Sequence, residues 1–136
     1  MCGFSGFLNF NSNRGDPLTL LQQMGDQLAH RGPDDSGVWF DNNCGVGFSH
    51  RRLSIIDLSA QGHQPMSSTS GRFVIAYNGE IYNHQELKKE LLQAGVVFRG
   101  GSDTEVLLYS LIYEGADKTL QEIDGIFAFV FYDKKE

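Results

Sequence analysis

Apolar and polar positions alternate along Phe4–Phe10, placing Phe4, Gly6, Leu8 and Phe10 on one face and Phe7 on the other, which predicts a strand. Asp16 followed by Pro17 is a helix start, and Leu18, Leu21, Met24 and Leu28 recur at helical spacing as far as His30. His30 to Gly37 has no period and reads as an irregular segment. Val38–Phe40 and Val46–Ser49 predict a hairpin about Asp41-Asn42-Asn43. Leu53–Leu58 is a short apolar run that gives way to a loop through Gly62 and Pro65. Arg72–Tyr77 alternates as a strand, and Asn78-Gly79, the commonest hairpin-turn dipeptide, is expected to break it. Asn83 caps a second helix whose apolar positions are Leu87, Leu91 and Leu92, closed by Gly95. A third starts at Ser102 or Asp103 and buries Val106, Leu107, Leu111 and Ile112. Ile126–Tyr132 is a dense apolar strand. Strands and helices come in runs rather than strict alternation, which predicts an α+β layered fold.

Length and charge narrow the class. A chain of 136 residues buries one core and not two. Its net charge of −6 and pI near 5.1 disfavour nucleic acid as a partner, because phosphate binding needs a concentrated basic surface. No run reaches the ~18 apolar residues of a membrane helix, and the N-terminus lacks a signal-peptide pattern, so a cytoplasmic location is expected. Two cysteines, Cys2 and Cys44, make neither a disulfide framework nor a four-ligand zinc site. Sixteen glycines lie mostly between patterned segments, marking tight turns and places where backbone approaches something closely. Ile126–Tyr132 carries no charge, so with the chain stopping at Glu136 its free edge is expected to promote self-association.

Four short motifs carry candidate chemistry. Removal of Met1 ahead of the small Cys2 would put a thiol and an α-amine on one residue. These titrate ordinarily near about 8.5 and 8, so the amine can serve as base to the sulfur. A buried small hydrophobe is the bland alternative for Cys2 alone. Asn78 and Gly79 set a carboxamide donor beside a glycine amide, the pair of N–H groups that a tetrahedral oxyanion needs, or else form an ordinary turn. Arg51-Arg52 offers a guanidinium for a carboxylate, or a solvated basic pair. Asp103 in Gly101-Ser102-Asp103 offers a carboxylate for an ammonium, or a helix cap.

Taken together and in order, these segments resemble the class II glutamine amidotransferases with an N-terminal cysteine. Among them the chain is most like the amidotransferase domain of glutamine-hydrolysing asparagine synthetases. The resemblance is carried by Met1-Cys2-Gly3, His30–Gly37, Arg52–Asp57, Gln64-Pro65, Tyr77–Asn83, Gly101–Asp103 and Gly125–Phe129. It implies a four-layer αββα sandwich of the N-terminal nucleophile hydrolases, two antiparallel sheets between helices. It implies that Cys2 forms a thioester with L-glutamine, and that Asn78 and Gly79 form the oxyanion hole. Arg52 would take the α-carboxylate, the backbone of Leu53, Ser54, Ile55 and Ile56 would line the pocket, and Glu80 and Asp103 would hold the α-ammonium. Cys44 is expected to be a core thiol. No metal or cofactor is implied for glutamine hydrolysis. ATP and Mg2+ are expected only in a synthetase domain that would consume the ammonia, and no segment of this chain resembles that domain. The family's domain runs on for further strands, so residues 1–136 are expected to be an incomplete amidotransferase domain. Homo-oligomers are compatible with this reading. The competing readings are a non-catalytic glutamine-binding module and an amidotransferase for another acceptor such as a sugar.

Overall fold

The computed structural model of the chain describes residues 1–55 and 57–135, with Ser12 described by its backbone only. Ten regular elements follow one another: β1 (Gly3–Phe7), α1 (Pro17–Asp26), β2 (Asp35–Asp41), β3 (Val46–Arg52), β4 (Met66–Ser67), β5 (Phe73–Ile81), α2 (His84–Gln93), α3 (Asp103–Glu114), α4 (Ala116–Glu122) and β6 (Gly125–Asp133). They build two antiparallel sheets of three strands, β1-β3-β2 and β4-β5-β6. Helix α1 packs on β2 and β3, and α3 packs on β5 with α2 and α4 beside it. The order of layers is therefore helix, sheet, sheet, helices, the expected α+β sandwich.

Strand β5 explains why the layers cohere. Its Val74 and Ala76 meet Val46 and Phe48 between the sheets, and its Ile75, Tyr77 and Ile81 face Leu87, Leu107 and Leu111 under the helices. A period of two thus serves two cores, because both faces of the strand are covered. Val74 and Ile75 are fully buried, each worth roughly 1.5–3 kcal/mol of removed apolar surface. Helix α1 begins as its sequence demands: Asp16 Oδ2 accepts from Thr19 N–H at 2.9 Å, and Pro17 needs no partner there. Arg51 ties this helix to β3, donating to the Gly25 carbonyl at 3.2 Å and pairing with Asp26 at 2.8 Å.

Several local expectations change. Asn78-Gly79 makes no turn: β5 runs through both residues to Ile81, in register with β6 (Asn78 opposite Ala128, Gly79 opposite Phe127). The reason is the neighbouring strand, which supplies a ladder that outweighs the local turn preference. A Cβ on Gly79 would sit 2.2 Å from the Ile126 carbonyl, so this glycine serves close strand approach. Strand β1 ends at Phe7 instead of Phe10, because Asn9 adopts a positive φ of 55° and turns the chain. Helix α1 ends at Asp26, short of His30. Helix α4 was not foreshadowed, its Ala116–Glu122 stretch having only a weak apolar period. Asn83 opens α2 without a side-chain cap, since its amide donates to the Glu122 carbonyl (2.8 Å) and its Oδ1 accepts from Asp124 N–H (2.9 Å). Cys44 is exposed in the β2–β3 turn, not a core thiol, because the hairpin projects that turn into solvent.

Candidate active site

The C-terminal end of β3, the middle of β5 and the N-terminus of α3 meet around one cleft of about 170 Å³. Cys2, Arg52, Leu53, Ile55, Gly79, Glu80 and Asp103 all line it. Residues scattered over a hundred positions thus converge. Cys2 directly precedes β1, and its Sγ accepts from the Leu53 N–H at 3.2 Å. That bond anchors the sulfur to the end of β3. Met1 stands in the same cleft, 63% exposed.

Arg52 is the last residue of β3 and is buried. Its guanidinium donates to the Ser59 carbonyl at 2.8 Å and to the Asp57 carbonyl. Two backbone oxygens thus hold the guanidinium in place beside the cleft that Arg52 lines. The carbonyl of Arg52 accepts from Asp34 N–H at 3.0 Å, and Asp34 Oδ2 accepts from Ser54 N–H at 2.8 Å. The expected irregular segment ends at Asp34, since β2 already begins at Asp35, and it works as a brace for the end of β3. Ser54 is held in this brace and is not among the cleft-lining residues. Ile56, the remaining pocket position expected from the sequence, lies outside the described residues.

Asp103 opens α3 behind the cap Ser102, whose Oγ accepts from Glu105 N–H at 3.3 Å. A carboxylate in that first turn is favoured by the helix dipole. Asp103 Oδ2 accepts from Tyr77 O–H at 2.7 Å and from Ile81 N–H at 3.1 Å. Burial, then the Asp103 charge, push the Tyr77 hydroxyl well above its ordinary range, so it stays a donor. Gln64 completes this wall, accepting from Tyr77 N–H at 2.7 Å and donating to Thr104 Oγ1 at 3.2 Å. On the other side of β5, His50 Nε2 donates to the Tyr77 carbonyl at 2.8 Å, reaching from one sheet to the other. Burial lowers the His50 pKa to about 4, so the ring is neutral at pH 7.

Asn78 shares the inter-sheet side of β5 with Val74 and Ala76 and, unlike the expected partner Gly79, is not among the cleft-lining residues. Its Oδ1 is buried without a partner among the described residues. Gln64, Tyr77, Thr104 and Asp57 line the cleft too, and no role was expected of them. All but Thr104 sit inside the segments that carried the resemblance, which was their only signal. Elsewhere, Glu90, Glu114 and Glu122 bring oxygens within 4.8 Å of one another. Lys118 lies 2.9 Å from Glu114 and 3.5 Å from Glu122, so an ammonium already pairs with two of the three.

The fold first defines a class. The solved Bacillus subtilis glutamine phosphoribosylpyrophosphate amidotransferase, complexed with ADP and GMP, superposes with a TM-score of 0.72 at 20% identity, over 98% of this chain and 35% of that one. The sequence then places the chain within that class: it belongs to the glutamine amidotransferase domain family, which matches residues 1–136. It is 42% identical to B. subtilis asparagine synthetase [glutamine-hydrolyzing] 3, over 99% of this chain and 22% of that protein. It is 36% identical to Escherichia coli asparagine synthetase B [glutamine-hydrolyzing], over 100% of this chain and 24% of that protein. The chain thus spans about a fifth to a quarter of the length of these relatives. No helix among the described residues is long and apolar enough to cross a membrane.

Proposed function

We propose that the cleft hydrolyses L-glutamine through a thioester on Cys2. The observation that carries the proposal is the convergence of one thiol, one guanidinium and three carboxylates, Asp57, Glu80 and Asp103, on a single small cleft. Glutamine bears the complementary groups: an α-carboxylate for Arg52, an α-ammonium for Asp103 and Glu80, and a carboxamide carbon for the sulfur. With Met1 removed, the Cys2 amine takes the thiol proton as sulfur attacks the carboxamide carbon. The negative oxygen of the tetrahedral intermediate is held by the Asn78 side-chain N–H and the Gly79 backbone N–H. Collapse breaks the C–N bond, and the amine returns its proton to the departing ammonia. Water then cleaves the thioester, releasing glutamate and regenerating the thiol. No metal or cofactor enters these steps.

We further propose that the ammonia serves ATP- and Mg2+-dependent amidation of aspartate to asparagine, in a synthetase part outside these 136 residues. The names of the relatives support that acceptor. A cytoplasmic location fits the free thiols. Ammonia release from glutamine by Met1-free protein, measured against a Cys2→Ala control, tests the first step. Equal release from both would overturn it, and glutamine binding without any turnover would favour a binding module instead. Asparagine formation by the longer chain, compared with amidated sugars as products, tests the acceptor.

A further inference from the structure

We infer that Asp57 is a positioning residue that fixes the spacing between Arg52 and Asp103, and with it how strictly the site demands both an α-carboxylate and an α-amine. The inference rests on the roles proposed above for Arg52 and Asp103. Asp57 lines the cleft, yet each of its oxygens already has a protein partner. Its carbonyl accepts from the Arg52 guanidinium. Its Oδ1 accepts from the Ser59 N–H at 2.8 Å and the Ser59 hydroxyl at 2.5 Å, while Oδ2 accepts from the Gly101 N–H at 3.0 Å.

These bonds join the two walls of the cleft. On one side, Asp57 and Ser59 give Arg52 both of its backbone seats. On the other, Gly101 lies two residues before Asp103, in the segment that leads into α3. The approach is tight: a Cβ on Gly100 would lie 2.7 Å from Asp57 Oδ2, so glycine at this position keeps the bridge short. A carboxylate accepting backbone N–H groups is a stiff strut compared with a loop free of such bonds. An α-amino acid offers its two charged groups at one fixed separation. A fixed distance between their partners therefore selects molecules that carry both groups, and rejects molecules that carry one.

The test compares L-glutamine with glutaramate, which has the carboxylate and the carboxamide but no α-amine, in Met1-free protein. Cutting the strut with Asp57→Ala should raise KM for glutamine roughly tenfold, the worth of one charge-assisted hydrogen bond, and leave kcat within about threefold. The preference for glutamine over glutaramate, as a ratio of kcat/KM, should fall by a similar factor. Asp57→Asn, which keeps volume but sets an NH2 against one donor, should shift both in the same direction by less. It also decides the matter where Asp57→Ala loses its near-ultraviolet dichroism. An unchanged glutamine-to-glutaramate ratio in the folded variant, or a fall in kcat with KM unchanged, would overturn the inference while leaving the thioester reading intact. Failure of the parent protein itself to hydrolyse glutamine would overturn that reading, and this inference with it.

Discussion

The two walls of the cleft are built on opposite plans. The β5–α3 wall is largely buried, and its side chains bond to core elements: Tyr77 to Asp103, Gln64 to Tyr77 and Thr104, His50 to Tyr77. The opposite wall, residues 53–55 and 57–62, holds no strand or α-helix, and its Ile55 and Leu58 are exposed at 71% and 77%. Arg52 alone among its cleft-lining charges is buried, held by loop carbonyls. One wall draws its geometry from the hydrophobic core and the other from hydrogen bonds. Damage to the first should reach stability and turnover together, and damage to the second should reach affinity alone.

The experiments that would break or sharpen this contrast run from large effects to small. Cys2→Ser sits between the walls and should bring glutamine hydrolysis to background, since a hydroxyl is far less acidic than a thiol. Mass spectrometry with an electrophilic glutamine analogue should find the adduct on Cys2 of the parent, and labelling of the exposed Cys44 instead would refute the assignment. On the buried wall, Asn78→Ala should lower kcat by roughly 10²–10³ with little change in KM, as the loss of one oxyanion donor does. A rise in KM at constant kcat would place Asn78 in ground-state binding. Gly79→Ala should also cost stability, about 1–3 kcal/mol, because β6 must move away from the new Cβ; a denaturant titration reads this directly.

Acid separates the walls further. The buried His50 ring has its pKa lowered from 6.5 to about 4, so between those values the unfolded chain binds the proton more readily. Stability from this residue is complete above pH 6.5 and is lost as pH falls toward about 4, in total roughly 3 kcal/mol. Melting curves across that interval should show the loss, and His50→Gln should flatten it. The loop wall answers only to stronger acid: the Ser59 hydroxyl holds the Asp57 carboxyl below its usual range, so its contribution is lost below the ordinary carboxylate pKa. The smallest effect belongs to Arg52→Lys, which should raise KM about tenfold at nearly constant kcat, because an ammonium cannot reproduce the fork. Steady-state kinetics checks this, and a matching loss of melting temperature would show that the loop wall supports the fold after all.

The same contrast explains what could be read from the chain beforehand. Elements with a strong apolar period were legible: β5 up to Tyr77, α2 with its Gly95 stop, α3 behind Ser102, and β6. Asn78-Gly79 was misleading because its local preference favours a turn, and only the partner strand, nearly fifty residues later, overrules it. Helix α4 was silent since its apolar period is weak. Candidate site residues were legible through short motifs, not through pattern. What the motifs could not convey was the connecting hydrogen bonds: nothing local says that Gln64 reaches Thr104, or that Asp57 reaches Gly101 across 44 positions.

Strand β5 also has a temporal consequence. Pairing with β6 along its whole length, and cover on both faces at Val74–Tyr77, leave the amides there no route to water short of global opening. They should be the last in the molecule to exchange their hydrogens. Residues 53–55 and 57–62 are held mainly by exposed side-chain bonds, so their amides should exchange sooner. The strand bearing Asn78 and Gly79 therefore keeps its place over times in which the exposed bonds of the other wall break and re-form.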